Sequence, residues 1–298
     1  LANMRKVLKA TGYVVGSLVL IAVVLLGYIL IEDRQYSEFL HSSTLPEENR
    51  KALLLTWNAE DSDAYWAAYE QEMMPVLTQL HGAGDISLVI PLEHPPLQHP
   101  DHPATWTHAT LILLENLGQG ALPTSEVLNQ VRTGPLSAYF FAADLLRMQP
   151  NLDMIYPVKD GLSRESAMRH VVEYVFSDPV HRQQYYQDQY VWSGPAMQEL
   201  HHRDKMGRFM GFEVETRLAG SPGLPAWDLV HLIGYTPWQT VKSLPFFYSI
   251  WNAHAERAFG PGNTFDTKLA EWDKIRLNVK SSAIQHHTTT LQDTKHSK

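Results

Sequence analysis

The chain reads as an α+β protein: a single N-terminal transmembrane helix followed by two tandem βαββαβ units, each of ferredoxin-like plan. Three observations predict this. An apolar run, GYVVGSLVLIAVVLLGYILI, fills Gly12 to Ile31 without a charge. Strand-length and helix-length patterns then alternate, and the second half of the chain repeats the order of the first. The halves also share a junction, PATW at 103–106 and LPAW at 224–227, each leading into an apolar segment that carries a His.

About twenty residues at 1.5 Å rise cover the roughly 30 Å hydrocarbon core of a bilayer. Tyr13 and Tyr28 stand near the two ends of the run, where amphipathic rings prefer the interface. Arg5, Lys6 and Lys9 precede it, and Glu32, Asp33 and Arg34 follow. The positive-inside rule then puts residues 1–11 in the cytoplasm and the body in the periplasm, as in a bacterial-type inner membrane. The core is too long for a signal peptide, and Gly27-Tyr28-Ile29-Leu30-Ile31 offers no small-x-small cleavage site. Gly12 and Gly16 form a small-xxx-small pair at which a partner helix could approach, although glycine is also simply common in membrane helices.

Residues 32–50 are polar and read as a stalk. The first unit, 51–150, opens with a strand at Lys51–Asn58, KALLLTWN. Asp61-Ser62-Asp63 supplies helix caps, and Trp66, Tyr69, Met73, Leu77 and Leu80 make one helical face. Pro75 lies inside that helix and Gly82-Ala83-Gly84 ends it. Strands are predicted at 85–92 and 106–114, a helix at 125–132, and a strongly apolar helix at 136–148. The second unit, 151–285, has a strand at 152–158 and a helix from Arg164 to about Phe176, broken by Asp178-Pro179. Further helix reaches about His202, then come strands at 207–218 and 227–235. A helix interrupted near Pro245 stops at Gly260-Pro261-Gly262, and 272–279 alternates as a strand. The tail, 286–298, is polar.

Of 298 residues, 24 are Lys or Arg and 32 are Asp or Glu. Three of the basic residues precede the apolar run and every acidic one follows it, so the body is acidic. Neutralising phosphates needs a basic face, which argues against nucleic acid as a partner. The absence of cysteine excludes disulfides, thiolate catalysis, Fe–S clusters and covalent haem attachment.

His94, His99 and His102 share a Pro-rich loop whose spacing fits no tight metal motif, and no metal is expected there. His201 and His202 are adjacent and point about 100° apart on a helix, so both cannot easily ligate one ion. His108 and His231 lie inside the third strand of their units. Each is a candidate catalytic residue, as a pocket-lining general base or haem ligand, or else a hydrogen-bonded core His. Trp238, Phe246, Phe247, Tyr248 and Trp251 cluster around a broken helix. They read as core, with Trp238, Phe247 and Trp251 also candidates for partner docking beside Gly12 and Gly16. There is no phosphate-binding glycine loop, nucleophile elbow or HExxH motif.

The segments GLSRESAMRHVVEYV (161–175) and YVWSGPAMQELHHRDKMGRFMGFEV (190–214) resemble the first-helix opening and the Gly-Pro turn of the EthD-like group in the dimeric α+β-barrel superfamily. The resemblance implies that sheets of two units pack together, so that tandem units would build an intramolecular barrel-like pair. Relatives in that superfamily bind haem or oxidise small aromatic molecules. Members commonly carry a His before the Gly-Pro, where this chain has Ser193, and a hydroxyl replaces neither an axial imidazole nor a base poised near neutral pH.

Two functions follow. The first is a non-catalytic accessory subunit, without cofactor, docking from the periplasmic side on an integral membrane complex such as a photosynthetic or respiratory assembly. The alternative is a membrane-tethered dimeric-α+β-barrel-type enzyme or ligand binder for a small aromatic molecule or haem.

Overall fold

The computed structural model describes residues 2–37, 50–98, 105–115, 124–154, 169–220, 226–285 and 291–292. The chain forms two compact units, residues 1–45 and 46–298. The first contains the helix α1 (Ala2–Ser37), on which Leu18, Leu20 and Leu30 are exposed. Among the described residues no helix is long and apolar enough to cross a membrane. The transmembrane reading is corrected on that finding. With it go the single-pass inner-membrane localisation, the periplasmic body and the bilayer as a partner.

The second unit is built on β1 (Lys51–Trp57), α2 (Ser62–Ala83), β2 (Ile86–Gln98), β3 (Thr105–Leu114), α3 (Thr124–Thr133), β4 (Phe140–Met154) and β5 (Arg169–Ser177). It continues through α4 (Arg182–Asp188), a π-helical turn at Gln189–Ser193, and α5 (Gly194–His202). Then follow β6 (Arg208–Gly220), β7 (Leu229–Tyr235), α6 (Pro237–Ser243), α7 (Phe247–Phe259), α8 (Phe265–Trp272), β8 (Arg276–Gln285) and the short β9 (Leu291–Gln292). The strands run β3-β1-β4-β6-β7-β5-β8-β2, and a β2–β3 pairing closes the ring. Every pairing is antiparallel. The fold is therefore one closed eight-stranded barrel with helices, which corrects the expectation of an anchor helix plus two ferredoxin-like units. The physical reason is the edge: open sheets would expose unpaired N–H and C=O groups, and joining β4 to β6 and β8 to β2 removes them.

Two expected helices are strands. The apolar stretch after Pro135 makes a short 3₁₀ turn, Pro135–Ala138, and then β4. Ala142, Leu146 and Met148 enter the inner core, while Ala143 and Leu145 pack on the outer one. A strand buried on both faces is a continuous apolar run, and periodicity cannot tell it from a buried helix. Residues 169–177 form β5 rather than the end of a helix. Burial there alternates, with His170, Val172 and Tyr174 all buried. The preceding part of that expected helix, 161–168, lies outside the described residues.

The alternation sorts side chains into two cores. Leu54, Leu111, Trp106, Tyr174, Phe212, Trp227 and Leu232 pack within the inner one. There the Trp106 and Trp227 rings meet at 5.2 Å, and Tyr174 lies edge-on to both at 5.2 and 4.9 Å. Leu53, Leu55 and Trp57 turn outward and meet Tyr65, Tyr69, Met73 and Leu77 of α2. Asp144 is fully buried and held bidentately by Arg217, whose guanidinium also lies 4.5 Å over the Trp227 ring.

Candidate functional site

Among the described residues the seam between β2 and β8 pairs Leu92 with Gln285 and Glu93 with Ile284, and β9 pairs with Leu88 and Val89 further along β2. Beside it a cleft of about 760 Å³ opens, lined among others by Ser62, Glu93, His94, His108, Arg169 and Ile284. Each element delivers its residue for a local reason. Asp61 caps α2 by accepting the Ala64 N–H at 2.9 Å, which places Ser62 in the first turn. Strand β3 carries Thr107 and His108, and an irregularity in the β2–β3 register between Glu93 and Leu97 shapes the opposite wall. Arg169 starts β5 and is exposed.

His108 is 1 % exposed and fully engaged. Its Nδ1 lies 2.8 Å from Thr107 Oγ1, and its Nε2 lies 3.3 Å from Ser62 Oγ. The Thr107 hydroxyl donates to the Ala59 carbonyl at 3.1 Å and accepts the Ala59 N–H at 3.0 Å. With its proton committed to Ala59, Thr107 accepts from His108 Nδ1–H, leaving Nε2 as the acceptor facing Ser62. Glu93 Oε2 accepts the Trp66 indole N–H at 3.0 Å and lies 4.0 Å from the same Nε2, near enough to pair with a protonated ring. The Tyr65 ring covers His108 at 4.0 Å between centroids. The arrangement can accept a proton at Nε2 from Ser62 or a bound acid, and Glu93 can balance the charge that forms.

His94 lies in β2 rather than in a loop, and is 4 % exposed. Its Nδ1 donates to the Pro95 carbonyl at 2.9 Å, so Nε2 is the bare nitrogen, and it has no partner among the described residues. Burial holds this ring below the ordinary histidine value, keeping it neutral at pH 7. His99 and His102 lie outside the described residues, and among those described no three His, Asp or Glu side chains gather as for a metal ion.

His231 bonds to a different set of residues. Its Nδ1 donates to Glu173 at 3.2 Å, and its Nε2 lies 3.3 Å from Gln189 Nε2. Burial pushes the Glu173 carboxyl up, but the His231 contact and the charges of Lys280 and Arg276 outweigh it and leave the group below its usual value. Of the docking candidates, Trp251 is buried, Phe247 is half-buried and Trp238 is 66 % exposed. A Cβ at Gly16 would meet nothing within 4 Å, while the Gly12 surroundings lie outside the described residues. His201 is held by the Met206 carbonyl at 3.3 Å. Sequence reasoning misses Ser62, Glu93, Thr107 and Arg169. The Asp61-Ser62-Asp63 cap signal is the one local hint, and it speaks to the helix rather than to His108. The accessory-subunit reading rests on an anchor and on the lack of a site. No described helix spans a membrane, so that function and its integral-membrane partner are corrected too.

No family model matches the chain, and none of the curated proteins compared with it does either. Among solved structures the chain is similar to a monooxygenase-like protein from Lactobacillus acidophilus NCFM at 9 % identity and a TM-score of 0.45, over 83 % of this chain and 97 % of that one. It is similar to an anthrone oxidase-like protein at 10 % identity and a TM-score of 0.42, over 86 % and 98 % of the two chains. A chlorite dismutase variant from Candidatus Nitrospira defluvii, in complex with cyanide, matches at 11 % identity and a TM-score of 0.34, over 83 % and 94 %.

Proposed function

We propose that the chain is an α+β-barrel enzyme or ligand binder that takes a small aromatic acid in the cleft beside the β2–β8 seam, with His108 as general base. The observation that carries this is the His108 ring, turned by Thr107 so that its Nε2 is the acceptor that meets Ser62 at the cleft wall. Pro95, Pro96 and the 73 % exposed Ile284 offer flat apolar walls for a ring. Arg169, with no ion partner among the described residues, offers the counter-charge for a carboxylate or phenolate. The finer assignment to the EthD-like group belongs to this reading as well.

Haem, the cofactor carried by the enzyme alternative, finds a poor donor set. Both ring nitrogens of His108 and of His231 are already engaged, and the bare Nε2 of His94 is buried away from solvent. Titration of the full chain with salicylate tests the reading. Saturable binding is expected, weakened about tenfold by Arg169→Ala and again by His108→Gln. Binding that ignores both substitutions would sink it.

A further inference from the structure

A serine at the start of a helix ordinarily commits its hydroxyl to the cap. At α2 that role belongs to Asp61, whose Oδ1 accepts the Ala64 N–H, so the hydroxyl of Ser62 is left over. It meets His108 instead, with Oγ 3.3 Å from Nε2, and both residues line the cleft beside the β2–β8 seam. Ser62 is half-buried there, whereas the His108 ring is 1 % exposed. A molecule entering the cleft therefore meets the serine before the histidine.

The ring is set to take a proton from that serine. Thr107 accepts Nδ1–H at 2.8 Å and is itself fixed by Ala59, so Nε2 is the acceptor facing Oγ. Glu93 Oε2, 4.0 Å from Nε2, steadies the imidazolium that forms. A hydroxyl, an imidazole acceptor beside it and a third group that orients the imidazole are the parts of an activated nucleophile. Ser62 also stands in the first turn of a 22-residue helix. The N–H groups of that turn have no carbonyl partner within the helix, and the positive end of the helix dipole favours a developing oxyanion. Asn58, exposed on the same cleft, adds a carboxamide donor.

We propose that Ser62 is a nucleophile and that the cleft hydrolyses esters of small aromatic acids, a substrate class that rests on the aromatic-acid reading above. Ser62 Oγ attacks the ester carbonyl as its proton passes to His108 Nε2. The C–O bond to the alcohol then breaks, and the alcohol oxygen takes that proton. Water attacks the acyl-serine carbonyl and gives a proton to Nε2, which returns it to Ser62 Oγ as the acid leaves. Ester and water become acid and alcohol, with nothing oxidised or reduced. The released acid is the anion to which Arg169, on the same lining, offers a counter-charge.

Incubation of the full chain with p-nitrophenyl benzoate tests this. A stoichiometric burst of p-nitrophenolate is expected, with a benzoyl group located on Ser62 by peptide mass spectrometry. Ser62→Ala should lose both, and its thermal midpoint should hold because Asp61 still caps α2. His108→Gln should slow acylation on the order of 10²–10⁴-fold. Thr107 is a positioning residue, so Thr107→Val should slow acylation and Thr107→Ser should restore it. A burst that survives in Ser62→Ala, or a benzoyl group on another residue in place of Ser62, would overturn the proposal. So would salicylate binding by a chain that is never acylated, which leaves the aromatic-acid reading standing. Acylation of Ser62 in a chain that does not bind salicylate would uphold the nucleophile and overturn that earlier reading instead.

Discussion

Two carboxylates, the buried Asp144 and the half-buried Glu173, show desolvation and a partner competing for one proton, with opposite results. At Asp144 burial wins over Arg217 and the carboxyl rises above its usual range. A raised acid contributes stability below its unfolded value, lost as pH rises through the folded one, so Asp144 does not make the barrel acid-labile. Glu173 titrates the other way, because the His231 contact and nearby cations overcome burial. Its contribution is present above the ordinary 4.5 and is lost as pH falls through the lowered native value. Glu173→Gln should therefore be less stable than the parent at pH 7, with the difference shrinking on acidification below about 4.5, as urea denaturation at several pH values would report. Equal curves at every pH would refute the assignment. Asp144→Ala takes the carboxylate from the half-buried Arg217 and should cost about 1.5–3 kcal/mol, the range for a hydrogen bond to a charged group. The partner of Asp144 lies 73 residues away, out of reach of any local pattern.

Among elements, α2 joins stability to the site. Asp61 caps it, and Gly84, in the left-handed region at φ 79°, closes it. Asp61→Ala should cost about 1 kcal/mol and should also loosen Ser62 from His108. Gly84→Ala should cost a similar ~1 kcal/mol without touching the cleft. Chemical denaturation measures both, and salicylate affinity should fall only in the first. The face Trp66, Tyr69, Met73, Leu77 and Leu80 is readable because α2 is buried on one side, and all five are buried. Strand β4 is unreadable for the converse reason, since both of its faces are covered.

At the scale of the molecule, the two seams differ in their described pairings. The β4–β6 seam runs from Ala142↔Gly220 to Met154↔Phe209, whereas the described β2–β8 pairs, Leu92↔Gln285 and Glu93↔Ile284, lie beside the His108 cleft. Amide hydrogen exchange should therefore be faster at Ala283–Gln285 than along β5–β7, and ligand in that cleft should slow it. Uniform protection across both seams would contradict this. The Trp106–Trp227–Tyr174 cluster packs within the inner core, so Trp227→Ala should cost about 3–5 kcal/mol by leaving a cavity.

Local pattern was enough to locate the apolar face of α2, and to mark β1, β3 and β7 as apolar runs of strand length. It also marked His108 and His231 as strand residues. Barrel closure, the strand identity of β4 and β5, and the meeting of His108 with Ser62 arise only once the chain is assembled. Each depends on groups brought together across long stretches of chain, such as the 46 residues between Ser62 and His108. Closure rewards backbone groups that no local window contains, so its energy is written only in the completed ring.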